Sequence, residues 1–368
     1  MKKVLWITNM PTMYRVHFFN ELGKYCDLTV MFDRYHATGV ENKWDNSYAK
    51  NFTAVFYKTI DIGREGAFGV GLLKVDYKKY DKVILSSYSS PAEMLALCKL
   101  KMQKIPYALE VDGGIIKNDN PFKKKLKTFL ISGADMYFST GDSTSKYLTH
   151  YGAKSSKIKK YHFSSLYNSD ILEKEPTPEE KKEIRTRLGF KREIMLIGVG
   201  RFIKVKGFDI LLKAAALLKY DIDIVIIGGE PTAEYHQLVD DLKLKNVSFI
   251  SEISKEALAE YYKAADIFVL PTRGDMWGLV INEAMAKGLP VITTDHCVAG
   301  LELIEDEQNG YIVKSEDYVQ LANRINILSA DRSACAQMGK NNLEKIKNYT
   351  FEQMAKEHYE ILFERGNQ

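Results

Sequence analysis

Two acids and two cations in the second half of the chain have the types and spacing to handle a ligand that is both charged and rich in hydroxyls. Asp275 and Glu283 stand with seven residues between them in PTRGDMWGLVINEAMAKGLPVITTD, residues 271–295. Asp275 lies in a polar turn, and Glu283 lies in the second turn of a helix expected to start near Gly278 and to stop at Gly288, just before Pro290. The open end of such a helix, at Gly278, Leu279 and Val280, offers unpaired N–H groups and a partial positive charge, which suits an anion. Glu283, inside the helix, suits the opposite partner, a group that donates hydrogen bonds. Phosphate at the tip with hydroxyls beside the acids is the chemistry of a sugar nucleotide; solvated acids on an ordinary strand–helix–strand unit would show the same spacing. Arg201 and Lys206 occupy the turn GVGRFIKVKG, residues 198–207. Lys206 stands at the start of a helix, where the dipole disfavours a cation. A bound diphosphate would offset that cost, and Arg201 would add a planar set of donors; the bland reading is a pair of surface cations.

These segments resemble the signature of the retaining GT-B glycosyltransferases of family four, the glycosyl transferases group 1. That signature is an acid, seven residues and a glutamate, followed by a tail that reads here Glu283-Ala-Met-Ala-Lys-Gly288-Leu-Pro290-Val-Ile292. Arg201 and Lys206 are similar to the family's diphosphate-binding Arg and Lys, in the usual G-R-(x4)-K-G spacing. The resemblance implies that Glu283 holds the ribose hydroxyls and Asp275 the donor sugar. It also implies that Gly278, Leu279 and Val280 meet the phosphates, and that the backbone near Ile253 holds the base. The chain departs from the pattern at three places. The first acid is Asp275 where the family usually has Glu. Asp112 stands where many members carry a histidine beside the transferred sugar. His162-Phe163-Ser164-Ser165 replaces a proline–asparagine–glycine turn.

Elements that could position these residues follow from the hydrophobic pattern. In the first half, short apolar runs at Val4–Thr8, Leu28–Phe32, Val83–Leu85, Tyr107–Val111 and Met136–Ser139 alternate with helical stretches, which argues for a parallel sheet covered by helices. Residues 36–70 read as irregular, with one strand around Thr53–Tyr57. Ligands in open parallel sheets sit at the carboxyl ends of strands. There the first half offers Arg15 and His17, which could face an acceptor or simply start a helix, the hydroxyl-rich Ser86–Ser90, read as a helix cap, and Asp112-Gly113-Gly114. Asp112 could orient a sugar hydroxyl or the acceptor, stabilise positive charge developing at an anomeric carbon, or build an Asx turn before its glycines. A second strand–helix series starts at Ile194. Asp221-Ile222-Asp223 matches a metal-binding D-x-D, but it enters its strand instead of leaving it; it reads as a solvated strand start, and no metal or other cofactor is expected.

The chain of 368 residues is long enough for two domains, and its 45% hydrophobic and 27% charged content is that of a globular protein. No apolar run is long enough to span a bilayer, and the run after Lys3 is too short for a signal-peptide core, so it reads as a first strand. Cys26, Cys98, Cys297 and Cys335 have no paired spacing, which suits a reducing cytoplasm and neither a disulfide framework nor a zinc site. The net charge of +4 is uneven: residues 1–170 hold 26 Lys and Arg against 16 Asp and Glu, and the rest hold 26 against 32. A basic first half points to an anionic partner, and no nucleic-acid motif is present. Lys123, Lys124, Lys125 and Lys127 project from a helix whose Phe122, Leu126, Phe129 and Leu130 are expected to face the core; the lysines are either a solvated face or a contact with anionic membrane.

The reading is therefore α/β, of the GT-B type: two Rossmann-like domains facing a cleft, at 1–168 (acceptor side) and 191–348 (nucleotide sugar). A linker at 169–190 joins them, and a helix at 349–368 crosses back to the first domain. The implied activity is metal-independent, retaining transfer from a UDP- or GDP-sugar to a saccharide or lipid-linked acceptor, in capsule-type polysaccharide biosynthesis at the cytoplasmic face of the membrane. A sugar-nucleotide epimerase of this fold, a phosphorylase and a non-catalytic nucleotide-sugar-binding relative are the alternatives.

Overall fold

A computed structural model describes residues 1–34, 44–62 and 66–363. The chain divides into two compact units, Met1–Ser164 with Thr350–Gln368, and Ser165–Tyr349. Each is an α/β unit built on a parallel sheet.

The first sheet contains β1 (Lys3–Thr8), β2 (Asp27–Phe32) and β3 (Thr53–Phe56). After a small antiparallel hairpin of β4 (Ile60–Ile62) and β5 (Gly66–Phe68), it is completed by β6 (Lys82–Leu85), β7 (Ala108–Val111), β8 (Met136–Ser139) and β9 (Ile158–Lys160). Its order is β3-β2-β1-β6-β7-β8-β9. The helix Phe351–Phe363 belongs to this unit and packs on the helix Met13–Leu22; His358 stacks 4.5 Å from Phe138 and 4.9 Å from Phe18. The return of the terminal helix implied by the resemblance is thus present. Parts of 36–70 lie outside the described residues; β3 forms where a strand is expected.

The second sheet contains β10 (Ile194–Val199), β11 (Ile222–Ile227), β12 (Val247–Ile250), β13 (Ile267–Leu270), β14 (Val291–Thr294) and β15 (Gly310–Val313), ordered β12-β11-β10-β13-β14-β15. The strands β10, β11, β13 and β14 are buried along their whole length, as strands covered by helices on both faces must be, and they read as near-continuous apolar runs. In both sheets the strand order reverses beside the first strand of its series: between β1 and β6, and between β10 and β13. These are the topological switch points, and the crevice beyond the strand ends there is where open parallel sheets bind ligands.

Residues 169–190, expected as a linker with a short helix, lie on the second unit: Leu172 N donates to Ala286 O at 2.9 Å, and the helix Pro178–Arg187 buries Arg185 against Asp266 at 2.6 Å. Two expectations change. Asp223 is not solvated; it is 6% exposed and takes Arg192 at 2.7 Å, with Asp221 bonded to the same guanidinium, because a buried carboxylate needs a partner. The helix Pro121–Ile131 does not turn its apolar side to the core. Leu130 and Ile131 are buried, but Phe122, Leu126 and Phe129 are exposed. Of this helix only Leu130 and Ile131 join the hydrophobic core.

Candidate functional site

In the second unit, the loop after β10 and the loop after β13 meet at the switch point. Thr272 Oγ1 donates to Val205 O at 2.8 Å, and Arg273 N donates to the same carbonyl at 2.7 Å. Only glycine fits at 207: its φ is +73°, and a Cβ would stand 1.9 Å from Pro271 O. Gly278 has the same constraint, with φ +106° and a Cβ that would meet Cys297 Sγ at 2.8 Å. It hands the chain directly into the helix Leu279–Met285. Between these loops Lys206 Nζ lies 2.6 Å from Asp275 Oδ2, both largely covered. Arg201 is exposed, with no side-chain partner among the described residues. The crevice thus holds one cation bound to one acid and a second cation open to solvent.

Glu283 lies in the second turn of the same helix, half-buried, and accepts a hydrogen bond from Tyr262 Oη at 3.1 Å. Burial pushes its carboxyl up; Tyr262 opposes that shift. Tyr262 stands on the helix Lys255–Ala264, which follows the loop carrying Ile253, so Ile253 and Glu283 are joined through one helix. The sequence reading missed Tyr262 and Arg273. Arg273 makes a two-pronged pair with Asp209 at 2.7 and 2.8 Å and also binds Glu316, which sets the shape of the loop. A lone tyrosine in a helix and an arginine in a turn carry no sequence signal of either contact. A cavity of about 680 Å3 opens at the opposite, strand-start edge, where Asp266 pairs with Arg185 and Arg332.

At the switch point of the first unit the chemistry-bearing residues are arranged differently. Arg15 is 3% exposed and bridges two acids, with Nη1 2.7 Å from Glu110 Oε2 and Nη2 2.6 Å from Asp112 Oδ1. Glu110 is fully buried and also accepts from Ser86 Oγ at 2.8 Å and Tyr161 Oη at 3.0 Å; His358 Nε2 stands 3.5 Å away. Burial alone would raise Glu110, but Arg15, helped by His358 and Ser86, holds it down to about 2. Asp112 moves the other way: burial pushes its carboxyl up and the neighbouring Glu110 adds to this, against the pull of Arg15. Asp112 keeps 29% side-chain exposure against none for Glu110, so it is the carboxylate of the two that a ligand can reach. Arg15 therefore faces inward and holds Asp112 in place, not outward toward an acceptor. His17 is half-buried, with its ring 5.5 Å from Phe351. Ser90 caps the following helix as expected, in a capping box with Glu93.

A pair of Rossmann-like units of this kind is the fold of the GT-B glycosyltransferases. Residues 180–345 match the family model described as glycosyl transferases group 1. A Klebsiella pneumoniae relative, described as an uncharacterized 41.2 kDa protein in the cps region, is 26% identical across 76% of this chain and 79% of its own length. The D-inositol 3-phosphate glycosyltransferase of Mycobacteroides abscessus is 33% identical over 39% of this chain, which spans only 34% of that relative. Among solved structures, Anabaena HepE in complex with UDP superposes with a TM-score of 0.77 at 17% identity, over 98% of this chain and 99% of its own. The sucrose-phosphate synthase of Thermosynechococcus elongatus superposes with 0.76 at 19% identity, covering 97% of each chain. At such identities these structures speak for the fold alone.

Proposed function

We propose that this protein transfers a sugar from a nucleoside-diphosphate sugar, of the UDP or GDP type, to a saccharide or lipid-linked saccharide, with retention of anomeric configuration and without a metal ion. The observation that carries this is the switch-point crevice of the second unit, where Lys206, Asp275, Arg201 and the start of the helix at Gly278 lie on two interlocked loops within the family segment. Breaking the anomeric C–O bond leaves a nucleoside diphosphate with growing negative charge. Arg201, Lys206 and the amides of Gly278, Leu279 and Val280 are the groups that stabilise it. Lys206 is held by Asp275 until phosphate competes for its ammonium, and the freed Asp275 carboxylate then accepts from hydroxyls of the donor sugar. Glu283 accepts from the ribose while Tyr262 steadies it, and the loop at Ile253 holds the base. Asp112, set by Arg15, serves the acceptor side. The UDP bound to HepE and the cps-region setting of the Klebsiella relative support a UDP-type donor and a surface-polysaccharide product.

A thermal-shift panel of UDP, GDP, ADP and their common sugars tests the donor. One nucleotide series is expected to raise the melting temperature in the wild type and to lose most of that effect in Lys206→Ala. No response to any nucleotide would overturn the reading.

A further inference from the structure

The helix Pro121–Ile131 in the first unit carries an apolar ridge that nothing in the fold covers. Phe122 is 79% exposed, Leu126 40% and Phe129 51%, and spacings of four and three residues stack them on one stripe. Met102, at the end of the helix Pro91–Met102, is 78% exposed. It adjoins this patch through its neighbour Lys101, whose Nζ lies 4.5 Å from the Phe129 ring centroid. Exposed aromatic and aliphatic side chains grouped in this way mark an interaction surface, whereas single ones do not.

The charge around the ridge says what covers it. Lys123, Lys124 and Lys125 are exposed, and on a helical wheel Lys123 and Lys125 fall on either side of the Phe122–Leu126–Phe129 stripe. Lys101, half-buried, sits against Phe129 at the edge of the ridge, its ammonium bonded to Phe129 O. No acid occurs between Asn120 and Ala134. The nearest one before the helix, Asp119, is taken up by Lys127 at 2.7 Å and Lys123 at 3.3 Å. Lys127, bonded inward to Asp119 and only 17% exposed, is not part of the outer rim.

We infer that this face docks on an anionic phospholipid bilayer, with Phe122, Leu126 and Phe129 entering the headgroup–acyl boundary and Lys123 and Lys125 meeting lipid phosphates. A protein partner for an apolar ridge would need a groove of matching shape. A bilayer needs only the apolar stripe and the flanking cations, which is what an interfacial helix supplies. The inference is independent of the transferase reading, since it uses no residue of either crevice.

Co-sedimentation of the full chain with vesicles tests it, using phosphatidylcholine alone and phosphatidylcholine with an equal part of phosphatidylglycerol. Binding is expected to the mixed vesicles, to be weak on phosphatidylcholine alone, and to fall as salt is raised from about 0.1 to about 0.5 M. Replacing Lys123 and Lys125 together by Gln is expected to lower partitioning about 25-fold, at about fivefold per lysine. Phe122→Ser with Leu126→Ser is expected to lower it about tenfold or more, with an unchanged melting temperature because both side chains are exposed. The inference is overturned by equal binding to both vesicle types, by undiminished binding of the Phe122/Leu126 variant, or by a dimer in light scattering that the same two substitutions dissociate.

Discussion

The two switch-point clusters use the same residue types to opposite ends. In the second unit the cations are underused: Arg201 is open to solvent, and Lys206 has a single carboxylate partner. In the first unit the arginine and the acids are engaged chiefly with one another. Arg15 spends its guanidinium on Glu110 and Asp112, and Glu110 is further bound by Ser86 and Tyr161. An arginine and a pair of acids at the end of parallel strands are therefore not by themselves a binding site. What separates the clusters is how much of their hydrogen-bonding capacity remains for a ligand. By that measure the second unit keeps cationic capacity to spare, and the first keeps one reachable carboxylate held by Arg15.

Substitutions on the two sides should separate stability from turnover. Arg15→Ala strands the buried Glu110 carboxylate, and breaking one partner of a buried pair costs about 3–5 kcal/mol. Urea unfolding is expected to show that loss, and a change below about 1 kcal/mol would contradict the mounting role. Lys206→Ala is expected to leave unfolding unchanged and to lower kcat about 10²–10³-fold, the cost of about 2.7–4 kcal/mol for one preorganised donor. Near-normal transfer in that variant would remove the charge-stabilising assignment. Glu283→Gln is expected to weaken nucleotide binding by about 1.5–3 kcal/mol, the range for a hydrogen bond to a charged group, as read by calorimetry. Because burial raises Glu283, wild-type affinity should begin to fall on acidification while the pH is still above the ordinary glutamate range.

Proton linkage gives a finer contrast. Glu110 is held down to about 2 from its usual 4.5, so its contribution to folding is complete above that usual value. It is lost progressively as pH falls toward 2, and denaturant midpoints measured across that window should show an acid loss that Arg15→Ala abolishes. The smallest effect expected is that of EDTA, which should leave transfer unchanged because Arg201 and Lys206 supply the positive charge; loss of activity restored by magnesium would argue for a metal.

Much of this was legible before any coordinates. Both strand–helix series, the fully buried apolar strands, the glycine stops and the spacing of Arg201, Lys206, Asp275 and Glu283 are local patterns, since each depends on residues close in sequence whose periodicity reports burial. What the tertiary structure alone decided were pairings across long separations. Arg15 meets Glu110 and Asp112 almost a hundred residues later, a distance of 95 and 97 positions. Arg192 takes both acids of the D-x-D, and Arg273 reaches Glu316. The exposed ridge at Phe122, Leu126 and Phe129 belongs with these. An amphipathic stripe states that one side of a helix is apolar, but whether that side meets a core depends on where the rest of the chain lies. A hydrophobic period is a property of a segment; its burial, like the partner of a charge, is a property of the fold.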